Sequence, residues 1–338
     1  MSIIQAEHIM LTHPEHARAP HDAEFANGSA FIQDHYCSVD EAAIPITDMG
    51  FLHADAAYDV VSVSRGQFFR LEDHLERFEQ SCDKFLLNNP YSREETAEIL
   101  TNMVKLAGVK DAYVWWCVTR GTNPTGDRSD LAGFQNQFYG YVIPYMYIAH
   151  DDEQTRGLDV IVSREFIRIP SKSVDPTAKN LHWMDMKLSL GEALLGGKDW
   201  SVLTDESGNL AEAPGANIFL IKNGEIYTPD SGCLEGITRK TTLELAAELG
   251  LSCHVETVSG DQLRQADEAF MTSTAGGIMP INSVDDIVLG GAPGPGALTA
   301  RLHDLYWEKR WEGWLATPVD YETPVTDTTY KYQHSKMA

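Results

Sequence analysis

The sequence predicts an α+β protein built from two α/β domains, and three observations carry that reading. Short β-branched or alternating stretches recur in pairs around turn residues, the pattern of hairpins. Between them lie longer runs with apolar residues at helical spacing, one opened by a capping box and one closed by a glycine. A polar, acidic stretch at residues 149–157 then divides a chain of 338 residues into halves long enough for separate cores. This gives an arm at 1–26, a small α/β domain at 27–148, a linker at 149–157, a C-terminal domain at 158–316 and a tail at 317–338.

In the first half, residues 30–32 and the stretch around Tyr36 flank a polar Gln33-Asp34-His35 turn. A strand at 57–64 is turned by Arg65-Gly66 into 67–70. A helix at 71–86 sets Leu71, Leu75, Phe78, Cys82 and Phe85 on one face. Ser92 and Glu95 cap a second helix that ends near Ala107 and Gly108. Strands at 112–120 and 137–144 enclose a loop of Gly, Asn, Pro, Asp and Ser. Along the first of them, alternation places Tyr113, Trp115 and Cys117 on one face and Val114, Trp116 and Val118 on the other.

In the second half, strands are expected at 158–162, 200–204, 217–222, 225–228, 252–258 and 268–272. Asn223-Gly224 is a tight-turn signal between two of them. Helices are expected at 181–195, 236–250 and 296–307, the second stopped by Gly250. The strands are mostly joined by hairpins, and there is no internal repeat.

Composition narrows the function. Hydrophobic residues at 43% and charged residues at 22% are ordinary for a globular chain. Fifty acidic against 26 basic residues give a net charge of −24 with no Lys/Arg cluster, which argues against a nucleic-acid partner. Five cysteines without a C-x-x-C pair fit reduced thiols, and no signal pattern or apolar run of ~18 residues points to export or a membrane, so a cytoplasmic protein is expected. His8, His13, His16 and His21 in the arm fit no metal-ligand spacing and read as part of a loose or partner-docked terminus. The glycine-rich run from Gly290 to Gly296 lacks Gly-Lys-Ser/Thr and is no phosphate loop of that kind.

Five places carry chemistry. Lys179, in Asp175-Pro176-Thr177-Ala178-Lys179-Asn180, stands in a turn before a helix within a mostly apolar region; such an amine is either a surface lysine or a desolvated nucleophile. Glu212, in Leu210-Ala211-Glu212-Ala213-Pro214, is a carboxylate at the edge of a core that needs either backbone donors or a cation. Gly236, Ile237 and Thr238 open a helix whose N–H groups and hydroxyl make a plain helix start or a phosphate seat. Thr272-Ser273-Thr274-Ala275-Gly276-Gly277 is a second small, hydroxyl-rich loop, and Arg77 on the early helix offers a charge-assisted bond.

In that order, Arg77, Lys179, Glu212, Gly236-Ile237-Thr238 and Ser273-Thr274-Ala275-Gly276-Gly277 are similar to the signature of fold-type IV pyridoxal 5'-phosphate enzymes. That family includes branched-chain and D-amino acid transaminases, aminodeoxychorismate lyases and (R)-selective amine transaminases. The resemblance spans about residues 30–307. It implies a D-amino acid/branched-chain aminotransferase-like fold, a C-terminal cofactor-binding domain and a homodimer with its site near the subunit interface. It also implies that Lys179 is the Schiff-base lysine and proton shuttle, that Glu212 faces the pyridine nitrogen, and that Arg77, Gly236, Ile237, Thr238, Ser273 and Thr274 hold the cofactor.

Asp48-Met49-Gly50-Phe51-Leu52-His53-Ala54-Asp55, Ala57-Tyr58-Asp59-Val60, Phe68-Phe69-Arg70-Leu71-Glu72-Asp73-His74 and the run from Asp175 to Trp183 resemble the (R)-selective amine transaminases most. That branch implies a substrate pocket of Tyr58, Val60, Tyr113, Trp115, Trp183, Thr274 and Ala275, with His53 reaching in from a neighbouring subunit. Arg128, in the 122–130 loop, would be a mobile grip for the keto acid's carboxylate. Trp115 departs from the branch, where a smaller or acidic residue is expected, so branched-chain L-amino acid or D-amino acid transamination stays open. A lyase and a carrier of the cofactor without turnover are the remaining alternatives.

Overall fold

The computed structural model describes residues 3–10 and 18–325. They form two compact units: one of Met10–Met146, Ala178–Leu181 and the residues from Gly313, the other of the residues up to Ile9, Tyr147–Thr177 and His182–Glu312. The C-terminal half of the chain thus lends Lys179 and its neighbours to the first unit. Among the described residues no helix is long and apolar enough to cross a membrane.

The first unit is a seven-stranded antiparallel sheet in the order Ala316–Pro318, Gln67–Phe69, Ala56–Ser64, Ala112–Thr122, Gln135–Pro144, Ser29–Ile32, His35–Ser38. The first hairpin turns at Gln33 and Asp34, both with positive φ (49° and 67°), the conformation that matches the twist of paired strands. Because strand residues alternate between faces, Ala57, Val61 and Val63 pack with Val114, Trp116 and Val118 into one core. The helices Leu71–Lys84 and Arg93–Ala107 cover that face with Leu71, Leu75, Phe78, Ile99 and Met103. The ring of Phe78 meets Trp116 edge to face at 5.6 Å.

The expected capping box is present: Glu95 N donates to Ser92 Oγ (3.2 Å) and Ser92 N to Glu95 Oε2 (2.8 Å). The tail reading is corrected for 317–325. Ala316–Pro318 adds an edge strand to Gln67–Phe69, Val319 joins the core, and the Tyr321 hydroxyl donates to Val109 O at 2.8 Å. Residues 326–338 lie outside the described part, as do His13 and His16 of the arm.

The second unit holds an eight-stranded mixed sheet. Its order is Cys253–Val255, Glu225–Thr228, Asn217–Lys222, Glu268–Ser273, Gly277–Val284, Leu158–Val162, Trp200–Val202, with Ile287–Val288 paired to Gly277–Val284. The strand Gly277–Val284 was hidden in the sequence by its glycine start and by Pro280, both poor strand signals. Three of the pairings are parallel, so hairpins account for less of this sheet than expected. Val160, Val202, Ile218, Leu220, Met271, Met279 and Ile281 form the core.

The 149–157 linker reading is also corrected. Asp151–Arg156 is a helix, opened by His150 N donating to Glu153 Oε2 (2.6 Å), and it belongs to the second unit together with the rest of Tyr147–Thr177. Three acids in its first turn favour the helix dipole, which is why an acidic run folds here. The start of the arm is no loose end either: Ile3 and Ile9 are buried and Ile4 N donates to Asp304 Oδ1 at 2.9 Å, within the second unit.

The Ser92 cap is the exposed feature that fixes the start of Arg93–Ala107. Ser92→Ala is expected to cost about 1 kcal/mol, read as a lower urea midpoint with an unchanged slope. No shift would mean that core packing alone fixes that helix start.

Candidate active site

Lys179 is held through its backbone in the first unit. Its N–H donates to Ser81 Oγ (3.0 Å), its carbonyl accepts from Tyr58 N (3.0 Å), and Asn180 bridges antiparallel to Ala57. The lysine therefore extends the edge of the Ala56–Ser64 strand, and the side chain is half-buried. Its Nζ lies 4.4 Å from the centroid of the Tyr58 ring. That ring stacks on Trp115 (5.8 Å), and Trp115 stacks on Tyr141 (5.3 Å), whose ring stands 6.2 Å from Tyr113. Val60 pairs with Trp115 across the strands. The expected alternation thus assembles Tyr58, Val60, Tyr113 and Trp115 in one region, with Trp116 in the core on the opposite face. A cavity of about 580 Å³ adjoins this wall, lined among others by Trp115, Cys117, Tyr139, Tyr141, Phe51 and Leu181.

On the other face of the same strand, Asp59 is fully buried. Arg77 donates to it twice, Nε to Oδ2 (2.9 Å) and Nη2 to Oδ1 (2.7 Å), and His74 Nδ1 lies 2.8 Å from Oδ1. Burial pushes Asp59 up, but Arg77 and His74 outweigh it and hold the carboxyl well below the usual range. An ionised Asp59 only accepts, so His74 Nδ1 carries the proton. Burial also keeps His74 below its ordinary value, against the pull of Asp59, so the ring is neutral near pH 7. Sequence reasoning singled out Arg77 but missed Asp59 and His74. The signal was there, in an acid inside an apolar strand and a His at i−3 from the arginine.

The remaining cofactor candidates belong to the second unit. Glu212 is buried; its Oε1 accepts from Arg168 Nε (2.8 Å) and its Oε2 from Leu234 N (3.1 Å). The Arg168 guanidinium also donates to Asp185 Oδ2 from Nη1 at 2.7 Å. The cation that a buried Glu212 requires thus includes Arg168, which the sequence did not single out. The helix Ile237–Glu248 starts at Gly236 with no side-chain cap, and Thr238 is buried in its first turn. A Cβ at Gly236 would stand 2.1 Å from Asn217 Oδ1, so only glycine lets this helix start pack there. Ser273 ends its strand and its Oγ accepts from Ala275 N (3.2 Å), while Ala275 O accepts from Ile148 N (2.8 Å). Gly277 has φ +67°, and a Cβ there would lie 2.9 Å from the Tyr306 ring.

The donor set fits a phosphorylated pyridine aldehyde: a half-buried primary amine at Lys179, a buried carboxylate at Glu212, and an uncapped helix N-terminus at Gly236, Ile237 and Thr238. Three further substrate candidates are His53, Arg128 and Trp183. His53 ends the helix Met49–His53 and is exposed. Arg128 is exposed and makes no ion pair among the described residues; its loop is knitted by Asn123 and Asp127, which accept from Thr125 and Ser129. Trp183 belongs to the second unit, where its ring would be 3.1 Å from a Cβ on Gly215.

The amino-transferase class IV family profile matches residues 56–284. A branched-chain-amino-acid aminotransferase of Pseudomonas aeruginosa is 33% identical over 264 residues, covering 77% of this chain and 83% of that protein. A D-alanine aminotransferase of Bacillus licheniformis is 29% identical over 260 residues, covering 75% and 88%. The crystal structure of the branched-chain amino acid aminotransferase of Thermobaculum terrenum in its PLP-bound holo form superimposes with a TM-score of 0.77 at 26% identity, over 87% of this chain and 99% of that one.

The buried Asp59–His74–Arg77 cluster sets an acid limit on stability. His74 titrates below its ordinary 6.5 when folded, so its contribution is complete above that value and is lost as pH falls. The share of Asp59, likewise depressed, follows below 3.8. The melting temperature is expected to drop as pH falls below 6.5, the ordinary value of the imidazole. His74→Gln, which keeps a donor for Asp59 but does not titrate, is expected to flatten that range and leave the steeper loss below about pH 4. Equal slopes in parent and variant would remove His74 from the account.

Proposed function

This chain belongs to the class IV amino-transferase family, and on that premise we propose that it moves an amino group from an (R)-amine to a keto acid such as pyruvate by ping-pong kinetics. It is an aminotransferase with the fold-type IV architecture, and its cofactor is pyridoxal 5'-phosphate. When bound, the cofactor supplies an electrophilic aldehyde carbon and a ring that spreads the charge left by a departing Cα proton.

The chain's own residues do the rest. Lys179 Nζ would hold the cofactor, and as a free amine would take the proton from the substrate Cα and deliver it. Glu212 would face the ring nitrogen and favour its protonated form. Gly236, Ile237 and Thr238 offer N–H groups and a hydroxyl to the phosphate, joined by Ser273, Thr274 and Arg77. Asp59 fixes the direction of the Arg77 guanidinium, and His74 in turn donates to Asp59.

The observation that carries the amine reading is the aromatic wall beside Lys179: Tyr58, Trp115 and Tyr141 in successive stacks. A flat apolar substituent on the donor suits such a wall. Arg128, exposed and without an ion pair among the described residues, suits a carboxylate that arrives in one half-reaction only. A homodimer is part of this reading. Ile46 (74% exposed) and Phe51 (61%), close in sequence to His53, supply apolar surface for a second copy to cover, which would carry His53 to its partner. A second reading, transamination of branched-chain L-amino acids or D-amino acids, is favoured by Trp115, which fills space beside Tyr58, and by the names of the relatives.

Purified enzyme loaded with cofactor separates the two. Pyruvate with (R)-1-phenylethylamine is expected to give acetophenone, and the (S) form none. Turnover confined to L-leucine or D-alanine with 2-oxoglutarate would overturn the amine reading. Arg128→Ala is expected to raise KM for pyruvate about tenfold with little change for the amine. Equal changes for both substrates would take Arg128 out of carboxylate recognition. Trp115→Ala is expected to improve kcat/KM for donors larger than phenylethylamine by about tenfold relative to it.

A further inference from the structure

We propose that Arg168 is the positioning residue of the cofactor's ring-nitrogen site: it holds the Glu212 carboxylate in place and charged, and Asp185 in turn holds Arg168. The inference deepens the reading above and rests on it, because it needs Glu212 to be the carboxylate that meets the ring nitrogen.

The geometry is a chain of restraints within the second unit. Arg168 is buried, and its own N–H donates to Thr204 O (2.8 Å). From that fixed backbone the guanidinium reaches two acids, Glu212 Oε1 through Nε at 2.8 Å and Asp185 Oδ2 through Nη1 at 2.7 Å. Asp185 is itself fixed, since Oδ2 accepts from Ile169 N (2.7 Å) and Oδ1 from Met186 N (2.9 Å). Glu212 is held at its other oxygen by Leu234 N (3.1 Å) and at its carbonyl by Leu203 N (2.9 Å). A glutamate has three side-chain torsions, and an acceptor for a ring nitrogen must present one oxygen in one direction. Fixing Oε1 on a planar, rigid donor removes most of that freedom before any ligand arrives.

The second effect is electrostatic. A buried carboxylate without a cation tends to take up a proton, and a protonated carboxyl is a weaker partner for a protonated ring nitrogen. Arg168 is the cation least able to lose its charge. Burial pulls its pKa down, but Glu212 and Asp185 more than offset that and hold it above the ordinary value. Because Asp185 shares the guanidinium, Arg168 is not spent on Glu212 alone, and the carboxylate keeps charge to offer a ligand. Asp185 therefore acts at one further remove.

The test uses the holoenzyme and the variants Arg168→Met, Arg168→Lys, Asp185→Asn and Glu212→Gln, with far-UV circular dichroism to establish folding. Two quantities are read, the pH midpoint of the cofactor's visible band and its dissociation constant by equilibrium dialysis. Arg168→Met is expected to move the midpoint in the same direction as Glu212→Gln and to weaken cofactor binding about tenfold, as loss of a hydrogen bond to a charged group does. Arg168→Lys is expected to restore part of both, and Asp185→Asn to give a smaller change of the same sign. A folded Arg168→Met with parental midpoint and affinity, while Glu212→Gln alters both, would overturn the inference and leave the reading of Glu212 standing. Parental values in Glu212→Gln would overturn that reading and this inference with it. If Arg168→Met does not fold, unmoved midpoints in both Arg168→Lys and Asp185→Asn overturn it.

Discussion

The alternation of the Ala56–Ser64 strand is the constraint on which the first unit depends. Successive residues on a strand face opposite ways, so a single register decides that Ala57, Asp59, Val61 and Val63 meet the helices. The same register leaves Tyr58 and Val60 on the other side, paired with Cys117 and Trp115. A slip of one residue would exchange the two sets between the faces, and would strand Asp59 away from Arg77 and His74. Lys179 is tied to this register as well, since its carbonyl takes the N–H of Tyr58 and its neighbour Asn180 bridges to Ala57. The amine and the ring beneath it are thus set by the same hydrogen bonds that close the sheet edge.

Both units solve the burial of charge in a similar way. In each, an arginine is pinned by a carboxylate that is itself fixed by backbone N–H groups or sits in a rigid strand: Arg77 by Asp59, Arg168 by Asp185 and Glu212. Breaking such a pair by removing one partner costs roughly 3–5 kcal/mol, although apolar residues of the same volume would often be as stable. Stability alone therefore does not account for keeping them. Direction does. A guanidinium held at two nitrogens points where it points, and a carboxylate held at both oxygens keeps one orientation for its remaining lone pairs. That is the property a cofactor with a phosphate at one end and a ring nitrogen at the other would use.

Much of this was legible in the sequence because it is local. The capping box at Ser92, the turn at Asn223-Gly224 and the alternation of Tyr113 against Trp116 each depend on residues a few positions apart. Lys179, Glu212 and the helix start at Gly236 were legible only through their order along the chain, since each alone reads as an ordinary surface or capping residue. What was not legible depends on pairing across long separations. Arg168 meets Glu212 44 positions later, from a segment without periodicity that could have marked it as buried. The 316–318 strand exists only because Gln67–Phe69 offers it an edge, and the acidic 149–157 run folds because its charges sit at the favourable end of a short helix.

The charge of the chain bears on how two unlike substrates reach it. On the proposed amine reading, the far field of a chain at −24 attracts the ammonium donor and repels the keto acid. That field is largely screened beyond ~8 Å at physiological ionic strength, so the approach of the acid is decided by the charges nearest to it. Around Arg128 those are not uniformly favourable: Asp127 and Asp130 flank it within the same loop, and all three are exposed. Asp127 is spent on Ser129, accepting from its N–H and hydroxyl, while Asp130 accepts from Gly133 N. The two acids thus brace the turns of the loop, and the guanidinium between them is the group not used in bracing it. A cation kept out of the loop's own bonding can leave for a carboxylate without unmaking the loop, which is what a grip needed in only one of two half-reactions requires.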